Sequence, residues 1–151
     1  MSLSPENKKA LIIDFDGTLC DAKGRRHYLD GDKPNYNKFY ESAIFSLPNE
    51  WCVEIIKRFS VDHTILIVTG QPAEYHRNIK DWLGKYLIPY HKILGRKSGD
   101  FRKDNTIKLE IYETEIKDKY RIIFCVDDRK RVSDMWREQG LVVLQCEEGN
   151  F

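Results

Sequence analysis

Apolar positions recur along the chain in two rhythms. Nearly unbroken runs at Ala10–Phe15, Thr64–Val68 and Arg121–Val126, with shorter ones at Lys92–Leu94 and Leu141–Cys146, predict five strands. Runs that do not alternate with polar residues mean that both faces of each strand are covered. Between them the spacing changes to that of helices. After Pro48, Trp51, Ile55 and Phe59 share one stripe with Cys52 and Ile56 beside it. Tyr75, Ile79, Trp82 and Leu83 form a second stripe, and Pro72 suits the first turn of that helix. Thr106 is placed to cap a third helix running to about Lys117. Val132, Met135 and Trp136 mark a fourth, which Gly140 closes. A short helix is expected around Lys38–Ser46, after a loop that runs to Asn37; Arg96–Asn105 reads as a polar loop. Strands alternating with helices predict an α/β fold, a Rossmann-like parallel sheet with helices on both faces. In such sheets ligands bind beyond the carboxyl ends of the strands, so function is sought in the loops that follow them.

Length and composition narrow this only slightly. At 151 residues the chain suits one domain, and 41% apolar with 12% aromatic residues argues against disorder. Residues 9–151 are expected to form that domain, with residues 1–8 a flexible tail or cloning remnant. A net charge of +1 excludes wholesale coating of polyanions and leaves only a local patch for any nucleic acid. No secretory signal is read at the start, and no apolar run approaches the roughly 20 residues of a membrane span. Cys20, Cys52, Cys125 and Cys146 lack metal-type spacing and read as reduced core thiols of a cytoplasmic protein.

The chemistry lies at the predicted strand ends. Asp14-Phe15-Asp16-Gly17-Thr18-Leu19 follows the first, Thr69-Gly70 the second, and Asp127-Asp128 ends the fourth, with Lys108 on the preceding helix. A parallel sheet gathers these groups at one edge. Four close carboxylates repel one another by several kcal/mol per pair in a partly dry site, unless protons or a cation intervene. Oxygen-only ligands without His or Cys favour a hard metal, Mg²⁺ before Zn²⁺, and Mg²⁺ is commonly completed by substrate phosphate. Of two neighbouring aspartates, one can attack phosphorus while the other moves protons.

These motifs resemble the haloacid dehalogenase-like phosphatase superfamily. Gly24-Arg25, the segment Gly99-Asp100-Phe101-Arg102-Lys103-Asp104-Asn105, Lys108, Val126-Asp127-Asp128-Arg129, Met135-Trp136-Arg137 and the terminal Glu148-Gly149-Asn150-Phe151 are similar to the phosphatase domain of phage-type polynucleotide kinase/phosphatase. Agreement is poorest at Leu29–Asn49. The resemblance implies a capless or small-flap domain with Asp14 as nucleophile and Asp16 as general acid/base. It implies Mg²⁺ on Asp14, the Asp16 carbonyl and the Asp127/Asp128 pair, and the transferring phosphoryl group on Thr69, the Gly70 amide and Lys108. Arg25 is expected to reach the substrate, and Asp104 to orient Lys108 from one helical turn away. Where the family has Arg after its second motif this chain has Gln71, which cannot make a charged bidentate contact; Arg77 and Arg102 are candidates to replace it.

Basic residues cluster after strands: Lys23, Arg25, Arg26 and His27; Arg96, Lys97, Arg102 and Lys103; Arg129, Lys130 and Arg131. They suggest a positive rim suited to a phosphodiester chain. Tyr28, Tyr36, Phe39 and Tyr40 suit either base stacking or packing of a flap. The first expectation is a Mg²⁺-dependent phosphomonoesterase acting on the 3′-phosphate of RNA or DNA ends. No Walker-type loop occurs, so a separate polypeptide would supply any P-loop kinase, or a ligase. The alternatives are the same chemistry on small nucleotide or sugar phosphates, and an idle module that only binds phosphorylated ends.

Overall fold

The strands are β1 (Lys9–Ile13), β2 (Thr64–Pro72), β3 (Lys92–Arg96), β4 (Arg121–Arg129) and β5 (Val143–Gly149) in the computed structural model, which describes residues 8–149. They form a single sheet in the order β3-β2-β1-β4-β5, parallel throughout. The helices are α1 (Tyr36–Glu41), α2 (Glu50–Phe59), α3 (His76–Lys85), α4 (Asp104–Ile111) and α5 (Lys130–Glu138).

Period-two alternation divides the core. Leu11, Ile13, Ile65 and Ile67 face one way, onto Cys52 and Ile56 of α2 and Ile79, Trp82 and Leu83 of α3. Ala10, Ile12, Leu66 and Val68 face the other way, onto Tyr112, Ile116 and the Val132, Met135 and Trp136 stripe of α5. Each fully buried large side chain contributes roughly 1.5–3 kcal/mol, so two such layers hold the central strands rigidly. That rigidity matters because the carboxyl ends of β1, β2 and β4 carry the polar residues.

Several boundaries differ from the sequence expectation. β2 continues through Pro72, so Pro72 does not open the next helix; a 3-10 turn (Ala73–Tyr75) intervenes before α3. The helix expected from Thr106 begins at Asp104 instead, and after Ile111 its path widens into a π turn at Tyr112–Ile116. β4 extends to Arg129 and β5 to Gly149. Trp51, placed on the apolar stripe of α2, is 43% exposed at the start of that helix, whereas Trp82 and Trp136 are buried.

Between Cys20 and Pro48, which form an isolated bridge, the chain makes a small flap. It contains a 3-10 turn (Arg26–Leu29), α1 and a second 3-10 turn (Ser42–Phe45). Phe39 packs under the Arg25 guanidinium, and Tyr40 lies 5.3 Å from Tyr75 between ring centres, so these aromatics build the flap. The expectation for residues 1–8 falls almost wholly outside the described residues.

Candidate active site

β1 ends at Ile13 and the chain leaves the sheet in a tight turn. Leu19 and Cys20 donate backbone hydrogen bonds back to Asp14 and Phe15, and Gly17 takes φ +82°. A Cβ at Gly17 would stand 2.2 Å from Asp128 Oδ2, so glycine is required here both by conformation and by space. The turn separates the two aspartates of the motif.

Asp14 faces α4. Its Oδ1 accepts from Lys108 Nζ at 2.7 Å and its Oδ2 from Thr18 Oγ1 at 3.0 Å. Lys108 also donates to Asp127 Oδ2 at 3.0 Å. Lys108 is almost wholly buried. Burial alone would lower its proton affinity, but Asp127 and Asp14 outweigh it and raise the pKa, so the amine stays charged. Carboxylate oxygens of Asp14, Asp127 and Asp128 lie within 4.8 Å of one another. Burial, then the charge of Asp14, pushes Asp127 and Asp128 well above the ordinary carboxylate range. Lys108, with the half-buried Arg26 at 3.4 Å from Asp128 Oδ2, still leaves three acids short of neutral, and the all-oxygen donor set suits a hard dication. The Asp16 carbonyl accepts no backbone hydrogen bond among the described residues, which leaves it open to such an ion.

Asp16 is held by other groups. Arg25 Nη2 donates to its Oδ1 at 2.6 Å and Gln71 Nε2 to its Oδ2 at 2.8 Å. Burial raises its pKa, and the Arg25 charge and the Gln71 amide oppose that shift. The other donors of Arg25 are taken by the Phe39 carbonyl and Ser46 Oγ. In this structure the Arg25 guanidinium is held by Asp16, the Phe39 carbonyl and Ser46.

Asp104 sits in the first turn of α4, one helical turn before Lys108. It makes no hydrogen bond to Lys108; its carboxylate accepts from Arg129 Nη1 at 2.5 Å and Arg131 Nε at 2.7 Å. Those charges, with Lys108 nearby, more than offset burial and lower its pKa. The pair joins the first turn of α4 to the β4–α5 junction, which places Lys108 indirectly.

Thr69 and Gly70 end the regular pairing of β2, and Thr69 Oγ1 accepts the Gln71 amide at 3.1 Å. Neither candidate replacement for the missing arginine hydrogen-bonds Gln71 or Asp16 among the described residues. Arg102 pairs with Asp100 and Glu110. Arg77 lies on α3. Arg96 was read only as part of the rim, yet its Nε donates to the Gly70 carbonyl at 2.7 Å and its Nη1 holds the Asp100 and Arg102 carbonyls. Asn49, which donates to the Thr18 carbonyl at 2.8 Å, was also missed; no local pattern announces either contact. Much of the expected positive rim is neutralised, because Arg25, Arg26, Arg129, Arg131 and Lys130 all pair with carboxylates.

An aspartate-rich edge with a buried lysine, on a five-stranded parallel sheet, defines a phosphoric monoester hydrolase of the haloacid dehalogenase type. Residues 8–151 match the family model of the polynucleotide kinase PNKP phosphatase domain, and the chain belongs to that family. A chain of the Pnkp1/Rnl/Hen1 RNA repair complex superposes with a TM-score of 0.84 at 34% identity, over 95% of this chain and 44% of that one. A putative bifunctional polynucleotide kinase/RNA ligase of Autographa californica nuclear polyhedrosis virus is 28% identical over 131 residues, 86% of this chain but 18% of the viral protein. The class C acid phosphatase of Bacillus anthracis shares the fold, with a TM-score of 0.68 at 11% identity over 92% of this chain and 66% of that one. This chain therefore spans less than half the length of the first two relatives. No helix among the described residues is long and apolar enough to cross a membrane.

Proposed function

We propose that this chain removes terminal 3′-phosphate from RNA or DNA ends through an aspartyl-phosphate, as the phosphatase component of nucleic-acid end repair. The observation that carries the reading is the division of labour between the two motif aspartates, with Asp14 against Lys108 and Asp16 against Arg25 and Gln71. A carboxylate held against a buried ammonium is placed to attack phosphorus. A carboxyl whose proton affinity is raised by burial can protonate the leaving 3′-oxygen, then take a proton from the water that hydrolyses the acyl-phosphate.

In the first step the Asp14 carboxylate oxygen bonds to phosphorus while the P–O3′ bond breaks and Asp16 delivers its proton to O3′. Because Thr69 Oγ1 accepts from the Gln71 amide, its own hydrogen is available to donate. With the Gly70 amide and Lys108 it offers fixed donors to the phosphoryl oxygens as charge develops. Asp14, the Asp127/Asp128 pair and the Asp16 carbonyl would hold Mg²⁺, which when bound offsets the carboxylate charge and polarises the phosphoryl group. A small flap leaves room for a strand end.

Repair of ends also requires a 5′-kinase and a ligase, which we assign to other polypeptides or other parts of a longer protein. The separate, unbridged thiols suit a cytoplasmic setting. The test is hydrolysis of a 3′-phosphorylated oligonucleotide, a 3′-mononucleotide and an aryl phosphate, each in Mg²⁺ and in EDTA. Fastest turnover of the oligonucleotide, lost in EDTA, supports the reading. Equal rates on all three move it to small phosphate esters, and no Mg²⁺-dependent release from any sinks it.

A further inference from the structure

The cations of the expected rim are mostly paired with acids, but another set is not. Arg77 and Lys80, three residues apart on α3, have no carboxylate partner among the described residues. They wall a cavity of about 410 Å³ with His76 and Asp81, and Ile93 of the edge strand β3 contributes an apolar surface. Neighbours at this spacing lie on one helix face with Cβ atoms about 5–6 Å apart, so both charges face the same groove.

His76 links the groove to the catalytic edge. α3 follows β2 after the 3-10 turn Ala73–Tyr75, and His76 Nε2 is hydrogen-bonded to the Gln71 carbonyl at 2.8 Å. The Gln71 side chain in turn holds Asp16. A chain leaving the reacting phosphate in this direction passes His76 first, then Arg77 and Lys80 along the outside of β3. Arg77 and Lys80 outnumber Asp81, the acid that lines the same groove, and with the apolar surface of Ile93 they match the alternation of phosphate and base in a single strand.

We infer that the groove between α3 and the β3 edge binds the phosphodiester backbone of the single strand upstream of the 3′ end. This rests on the proposed action at polynucleotide ends. Arg77 and Lys80 each neutralise one phosphate there, while Asp14, Asp16 and Lys108 act on the terminal one. Affinity then grows with strand length while the chemical step does not.

Binding and turnover test this separately, using the 151-residue chain and the double variant Arg77→Gln/Lys80→Gln. Fluorescein-labelled 3′-hydroxyl dinucleotide and octanucleotide are titrated in EDTA at 50 and 200 mM KCl, and aryl phosphate turnover is followed in Mg²⁺. The parent should bind the octanucleotide more tightly than the dinucleotide. The variant should bind it about fivefold to twentyfold more weakly at low salt, with a log–log salt slope shallower by about 1.4 for two lost contacts on a single strand. Dinucleotide binding and aryl phosphate turnover should not change. Equal octanucleotide affinity and slope in parent and variant, or no length effect in the parent, overturns the groove. Length-dependent binding that the variant loses, in a parent that hydrolyses no 3′-phosphorylated oligonucleotide, keeps the groove and overturns the reading of the site.

Discussion

Replacing Lys108 by Met tests the electrostatic design of the site at its centre. The ammonium stands 2.7 Å from Asp14 Oδ1 and 3.0 Å from Asp127 Oδ2, almost without solvent. At an effective dielectric of 20, each contact is a gross attraction of roughly 5–6 kcal/mol, most of it offset by the dehydration of the ions. Removing one partner of such a buried set typically costs about 3–5 kcal/mol, because the remaining charges are left facing one another. For a chain of this size that corresponds to a fall in Tm of roughly 6–20 °C. The sign with pH follows from the raised carboxylates. Asp127 and Asp128 have folded-state pKa values above their unfolded ones, so their contribution is full at low pH and is lost as pH rises through the folded values. Without Lys108 the loss deepens. Thermal melts in EDTA should show a larger destabilisation at pH 8 than at pH 5, and Mg²⁺ should restore part of it. A variant that melts with the parent at pH 8, or that suffers equally at pH 5, would refute the argument that Lys108 holds the acids together.

Asp14→Asn should abolish phosphate release in a Mg²⁺ assay; robust turnover would rule out covalent attack by this carboxylate. Asp16→Asn should lower kcat by roughly 10²–10⁴ on a poor leaving group and less on an aryl phosphate, whose oxygen needs little protonation; an equal loss on both would remove Asp16 from the acid role. Gly17→Ala places a methyl 2.2 Å from Asp128 Oδ2 at φ +82°, so a destabilisation of about 2–4 kcal/mol with loss of activity is expected, read by urea unfolding. Asp104, whose pKa is lowered by Arg129, Lys108 and Arg131 against burial, contributes stability above its unfolded pKa that is lost as pH falls through the folded one. Asp104→Asn should therefore destabilise the chain at pH 7 and much less at pH 3; a constant difference between melts at the two values counts against it.

The amino-acid sequence by itself determined the sheet and its polar edge. Unbroken apolar runs such as Ile65–Val68 can only be buried on both faces, and period-two geometry then sends Leu11 and Ile12 into opposite layers. Asp-x-Asp-Gly-Thr, Thr-Gly, Lys108 and Asp127-Asp128 follow or flank those runs, so their convergence was legible from order alone. Which charges pair within the cluster was not. Arg25 with Asp16, Arg129 and Arg131 with Asp104, and Arg96 with the Gly70 carbonyl are contacts across 9, 25, 27 and 26 residues. No local rhythm encodes them. A guanidinium on a flexible stem can reach several partners, and only the packed positions of the flap, α4 and the β4–α5 junction decide which one lies within 3 Å. The same holds for Trp51, Arg77 and Lys80: helical spacing assigns a face, but what covers that face depends on neighbours brought from elsewhere in the chain.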